Sequence, residues 1–330
     1  MLFDGRDAVA VEHAAAVLAG GGLVGFPTET VYGLGARADD NVAVAKIFAA
    51  KGRPADHPLI VHVQGVAQAA VFASELPAVA QRLTSALWPG PLTVIVPRAS
   101  RMAEAAAGGQ ASIGLRCPSH PVAHALLAAA ARLGVPGVAA PSANRFGRVS
   151  PTRAAHVVAE FGDDLLVLDG GDSEVGIESA IVDCSRGQPV LLRPGVLTRG
   201  QIESVAGQRL LARDAAAPRA PGSLETHYAP RARLQLLAAP ALRAALQSLD
   251  SASGRVAVYS HTVHAELRPS ATWPRLYKVM PMQADLTARE LFSVLHEFDD
   301  DGVQLILVEE PPDTPAWEGV RDRLRRAATA

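Results

Sequence analysis

Hydrophobic residues along this chain fall into runs of two kinds. LVGF at 23–26, PLIVHV at 58–63 and the stretches 92–96, 111–116, 136–140, 165–168, 179–183 and 189–192 are compact apolar runs of strand length. Between them, residues 9–19, 65–73, 77–87, 121–133 and 152–161 are alanine-rich and recur with helical spacing. GGG at 20–22 breaks the first helix. Another helix is expected from a cap at Asp39 or Asp40 to about Ala50, ended by Gly52. Strands alternating with helices predict an α/β layer architecture.

The pattern changes over 212–232, ARDAAAPRAPGSLETHYAPRA, where prolines and small residues replace any apolar period. This segment is predicted to be a linker. Beyond it, strands are expected at 234–237, 255–260 and 304–310 and helices at 241–249, 285–298 and 316–327, a small α/β domain of its own. The expected division is therefore 1–211, the linker 212–232, and 233–330.

Composition changes the picture mainly by exclusion. With 49% hydrophobic and 19% charged residues over 330 positions, the chain is globular and long enough for two cores. The net charge of −2 is evenly spread, with 17 Lys+Arg against 18 Asp+Glu up to residue 210 and 14 against 15 after it. No half has the footprint of a dedicated nucleic-acid binder, so any positive potential is local, which suits a phosphate-bearing small molecule. Cys117 and Cys184 lie far apart without metal or disulfide spacing. An acidic N-terminus and the lack of a long apolar stretch lead to the expectation of a cytoplasmic protein with no membrane partner.

Several motifs compete for chemistry. GLGARA at 33–38 matches a dinucleotide fingerprint formally, but the polar PTETVY separates it from the preceding strand and its helix starts only near Asp39, so the reading is rejected. His120 and His124 have metal-pair spacing but no third ligand, and His120 before Pro121 is better read as a helix cap. PTETVYG at 27–33 puts two hydroxyls, Glu29 and Tyr32 on one loop at a strand end, either a binding loop or a plain turn. KGRP places Lys51 and Arg53 at a helix end, as dipole compensation or a phosphate grip; Lys51 is one of only three lysines. PSANRFGRVSP at 141–151 offers Ser142, Asn144 and Ser150 before a helix, an anion cradle or a capping turn. Arg116 and Arg193 end two further strands. Four cations at element ends beside hydroxyl loops point to a single phosphate-binding crevice.

GFPTETVYGLG, KGRPADHPLIVHV, WPGPLT, LRCP, APSANRFGRVSPT, GIESAIVD and LRPG, in this order, closely resemble the threonylcarbamoyl-AMP synthase (YrdC-like) family over about residues 8–205. HYAP at 227–230 and the following small domain resemble its long, two-domain form. The resemblance implies an α/β fold: a YrdC-like twisted mixed sheet with helices around a concave cleft, then a small Rossmann-like domain. It implies condensation of L-threonine, bicarbonate or carbon dioxide, and ATP, with Mg²⁺, into threonylcarbamoyl-AMP and pyrophosphate. The product feeds a downstream threonylcarbamoyl transferase complex and modification of tRNA beside the anticodon. The family's K-x-R and S-x-N tetrad corresponds to Lys51, Arg53, Ser142 and Asn144. The resemblance assigns Arg53, His57, Ser112, Ser142, Ser150, Arg193 and His227 or Tyr228 to ATP. It assigns Thr30, His62, Arg116, the backbone at Ala140, and Ser179 to threonine, with no protein ligand for metal and the linker as a lid. One departure is Ala180, where the family commonly has threonine. The alternatives are a double-stranded RNA-binding module and a carbamoyl-adenylate-forming domain of another pathway.

Overall fold

The computed structural model describes residues 1–222, 227–249, 254–263 and 275–329; part of the expected linker, 223–226, lies outside the described residues. The chain forms two compact units, Met1–Phe146 with Ser150–Ser223, and Gly147–Val149 with Leu224–Ala330.

In the first unit the elements run β1 (Leu2–Asp4), α1 (Ala8–Ala19), β2 (Val24–Phe26), β3 (Gly33–Arg37), α2 (Asn41–Lys51) and β4 (Ile60–His62). Then come α3 (Val66–Phe72), α4 (Ala78–Leu87), β5 (Leu92–Pro97), β6 (Ser112–Arg116), α5 (Pro121–Arg132) and β7 (Val138–Ala139). The unit closes with α6 (Ala154–Phe161), β8 (Leu166–Asp169), β9 (Ala180–Asp183), β10 (Val190–Arg193) and α7 (Arg199–Ala206). Ten strands make one mixed sheet in the order β1-β8-β2-β3-β7-β4-β6-β5-β9-β10. Local chemistry sets the expected ends. Asp40 accepts from the amides of Val42 and Ala43 at the start of α2, left-handed Gly52 ends it, and His120 caps α5 through the Val122 amide.

Sequence reading missed β1, β3 and the helix α7. GLGAR lies in β3, antiparallel to β2, because its glycines admit close neighbours. A Cβ on Gly35 would stand 2.8 Å from Val138 Cγ1 and 2.9 Å from Phe26 Cε1. The glycines that imitate a dinucleotide fingerprint thus serve sheet packing.

Alternation along the strands assigns two faces. Val61, Leu92, Val94, Val96, Ile113, Leu115, Ala180, Val182 and Leu191 face the main core with α2, α3, α4 and α7. Ile60, Ile95, Ile181, Val190 and Leu192 form a separate apolar patch on the opposite face. Ala217 and Ala220, from the segment expected to be linker, pack on that patch.

Among its described residues the second unit has a parallel four-stranded sheet, ordered β11 (Arg233–Leu237), β14 (Leu305–Glu309), β12 (Val256–Ser260), β13 (Arg275–Val279). Its helices are α8 (Ala239–Ser248), α9 (Ala284–Asp300) and α10 (Glu318–Ala328). β13, RLYKV, is the strand that sequence reading missed here, since its polar residues dilute the apolar run. Among the described residues no helix is long and apolar enough to cross a membrane.

Candidate functional site

The strand period that buries Val61, Leu115 and Val182 turns His62, Arg116 and Ser112 toward the face carrying Ile60, Ile95 and Ile181. β4 and β6 are parallel with His62 in register with Arg116. Arg193 needs more than alternation, because it shares parity with core-facing Leu191. A register shift between Leu191 and Arg193 sets Arg193 opposite Ile181, and such irregularities re-aim side chains. Its guanidinium donates from Nε to the Ser179 carbonyl at 3.0 Å and from Nη2 to Ser179 Oγ at 3.2 Å. Thr93 shares a 2.8 Å hydroxyl bond with Ser179.

The tetrad residues meet at the end of α2. Lys51, only 3% exposed, donates from Nζ to the carbonyls of Ser142 and Asn144, the former at 2.6 Å. Burial pushes its ammonium well below the ordinary lysine range, as does neighbouring Arg53, while Glu160 and Glu178 oppose them. Arg53 donates to the Pro58 carbonyl at 2.9 Å and lies 5.6 Å from the Phe146 ring centre, and His57 meets the same ring at 5.5 Å. Burial lowers the His57 pKa first, and Arg53 adds to it. Ser150 donates to Glu178 at 2.5 Å. Lys51, Arg53, Ser142, Asn144 and Ser150 are thereby brought together with Glu178, and the chain runs directly from Glu178 to Ser179 and its partner Arg193.

Of the expected threonine residues, Thr30, His62 and Arg116 form a second, drier group, while Ser179 lies with Arg193. Arg116 Nη1 donates to Thr30 Oγ1 at 2.8 Å, and Arg116 Nη2 lies 2.7 Å from Glu29 Oε1. His62 is held neutral, its pKa pushed down to about 3 by burial and then by the Arg116 cation. The Ala140 amide is committed to the Ile60 carbonyl at 2.9 Å, so a ligand would meet the carbonyl of Ala140. Ala180 is buried in the main core and donates its amide to Pro91 at 3.0 Å. The missing hydroxyl at Ala180 thus falls on the core side, and Ser179 keeps its partners.

Ser112 sits in a narrow cleft with Pro58, Ile60, Thr93, Ile95, Gly114, Ile181, Arg219 and Pro221. The space left there is about 10 Å³, room for about one water. The start of the expected linker fills the rest. Arg219 pairs with Asp56 at 2.6 Å and donates to the Gly108 carbonyl at 3.1 Å, its amide donates to Gln110, and Pro221 accepts from Arg193 at 3.2 Å. His227 and Tyr228 belong to the second unit, where the Tyr228 ring stacks on Phe292 at 5.5 Å beneath Arg323. Sequence reading gave no role to Glu29, Thr93 or Glu178. Glu29 stood in view within PTETVYG, but only the fold brings it to Arg116.

Comparison with known proteins gives the family of the chain. Residues 16–195 match the Sua5, YciO and YrdC family, described as telomere recombination, and residues 197–329 match the threonylcarbamoyl-AMP synthase C-terminal domain. The threonylcarbamoyl-AMP synthase of Pyrococcus abyssi is 36% identical over 324 residues, covering 96% of this chain and 94% of that one. This chain belongs to the threonylcarbamoyl-AMP synthase family. The Bacillus subtilis member is 37% identical over 326 residues, covering 96% and 92%. The crystal structure of P. abyssi Sua5 complexed with L-threonine superposes with a TM-score of 0.88 at 34% identity, covering 100% of this chain and 97% of that one. Members of the family are enzymes, and their two-domain fold is the fold seen here.

Proposed function

We propose that this chain is an L-threonylcarbamoyladenylate synthase, a nucleotidyltransferase that condenses L-threonine, bicarbonate or carbon dioxide, and ATP into threonylcarbamoyl-AMP and pyrophosphate. The observation that supports the reading is that the first unit holds two kinds of buried polar site. Buried Lys51 sits at the S-x-N loop with Arg53 close by, and Arg116 at the end of β6 bonds Thr30 of the loop between β2 and β3. The first kind suits a triphosphate, and the second suits an amino-acid carboxylate.

A threonine carbamate attacking the α-phosphorus needs alignment, charge neutralisation and exclusion of water more than covalent help. Arg53 and Arg193 supply fixed cations, Ser142, Ser150 and Ser112 supply short donors, and Arg116 holds the carboxylate. Mg²⁺ would enter with ATP, beside the cations Arg53 and Arg193. When bound, it neutralises charge building on the phosphates. The segment 217–221 acts as a lid that leaves the Ser112 cleft when nucleotide enters and then shields the carbamate from water. The product serves tRNA modification through a downstream transferase in the cytoplasm.

The test is to incubate purified protein with ATP, Mg²⁺, labelled bicarbonate and single amino acids. Pyrophosphate release that depends on threonine and bicarbonate, with label in an adenylate product, is the expected result. Release indifferent to threonine overturns the reading.

A further inference from the structure

The threonine side of the site holds more polarity than its internal bonds use. Glu29 Oε1 and Arg116 Nη2 approach to 2.7 Å, with both side chains 4% exposed, yet neither atom makes an aligned hydrogen bond. Nδ1 of His62, in register with Arg116 on the adjoining strand, is a third buried polar atom without a hydrogen bond. The remaining atoms are committed. Glu29 Oε2 accepts from the Ser119 amide at 3.1 Å, Arg116 Nη1 donates to Thr30, and Nε reaches the Gly90 carbonyl at 3.4 Å. Opposite charges buried this deeply repay their desolvation only through good geometry and full hydrogen bonding. A pair that is close yet misaligned is suited to a ligand that completes both halves.

An α-amino acid carries its ammonium and its carboxylate on one carbon, so an adjoining carboxylate and guanidinium are complementary to it. We propose that Glu29 is the amine receptor of this site: Oε1 accepts from the substrate's amino nitrogen while Arg116 takes the carboxylate. Glu29 thereby selects α-amino acids over α-hydroxy acids. The assignment rests on the threonine-dependent reading above. The nitrogen keeps one N–H after carbamoylation, so the same oxygen remains its partner in the next step. A residue that merely aimed Arg116 would affect every carboxylate ligand equally, whereas a receptor for the amine affects only ligands that possess one.

The experiment compares L-threonine with 2,3-dihydroxybutanoate, its analogue with hydroxyl in place of amine, by calorimetry on full-length wild type and Glu29→Gln. Wild type is expected to prefer threonine by about tenfold or more, since the analogue offers the Glu29 carboxylate one neutral O–H donor where threonine offers a charged ammonium. Glu29→Gln is expected to lose most of that preference, with the hydroxy acid's affinity and the KM for ATP unchanged within about twofold. Equal weakening of both ligands overturns the assignment, because Glu29 then only aims Arg116. Should Glu29→Gln not fold, a wild-type preference near unity overturns it alone. Pyrophosphate release by wild type that ignores threonine is a separate result, which removes the underlying reading and this assignment with it.

Discussion

The ammonium of Lys51 lies 2.6 Å from the carbonyl oxygen of Ser142, a bond across 91 residues. It donates also to the Asn144 carbonyl, and the Phe146 amide returns a 2.9 Å bond to the Lys51 carbonyl. Lys51 is therefore a clamp on the loop carrying Ser142 and Asn144 as much as a positive charge. Lys51→Met keeps the stem and removes both side-chain bonds. Its kcat/KM for ATP is expected to fall by about 100-fold or more, with a lower thermal midpoint, and Lys51→Arg is not expected to rescue it because a planar fork cannot replace a point donor. Steady-state kinetics beside a melting curve decide this, and full activity in Lys51→Met would remove the clamp from the mechanism.

His62 titrates below its ordinary range, at about 3. Between about 6.5 and 3 the unfolded chain binds a proton that the folded state refuses, so unfolding gains ground as pH falls through that window. His62 is expected to contribute a loss of up to about 1.4 kcal/mol per pH unit there. Denaturant midpoints from pH 7 to pH 4 should show this slope, and His62→Gln should flatten it.

Gly35 faces Phe26 and Val138 at distances that leave no room for a methyl group. Gly35→Ala is expected to cost about 1–3 kcal/mol of stability through overpacking. Chemical denaturation measures it, and an unchanged midpoint would mean the β2–β3–β7 contact yields more than a packed core should.

Ala180 is fully buried among the apolar residues of the main core. Restoring the commoner threonine by Ala180→Thr therefore adds atoms to filled space. A lower thermal midpoint is expected, by about 1–3 kcal/mol in stability, with no improvement in the KM for threonine. An improved KM would show that the side chain at 180 reaches the substrate.

Arg219 and Asp56 form an exposed pair, 49% and 60% accessible, that pins the segment over the Ser112 cleft. Such a pair is worth about 1 kcal/mol at most, so Arg219→Ala should leave the melting temperature nearly unchanged. If nucleotide entry requires the segment to lift, the same change lowers the KM for ATP by up to about fivefold. Unchanged or weaker ATP use would argue that this segment does not compete with nucleotide.

Local signals made much of this protein legible before any coordinates. Asp40, Gly52 and His120 act on their own helix ends, and the apolar runs at 58–63 and 179–183 reach the sheet because burial rewards them in any context. The motifs of the family were likewise continuous strings. What escaped was whatever depends on a neighbour distant in sequence. β3 exists because Gly33 and Gly35 fit against Phe26, Ala140 and Val138, a fact about space that composition disguises as a nucleotide fingerprint. Arg193 reaches Ser179 through a register shift in one strand pair, and Glu29 reaches Arg116 from a loop 87 residues earlier. Sequence by itself settled most of the helices and strands and which residue types were on hand for chemistry. Tertiary structure alone decided which side chains share a face, because that depends on sheet order and register, which no local pattern encodes.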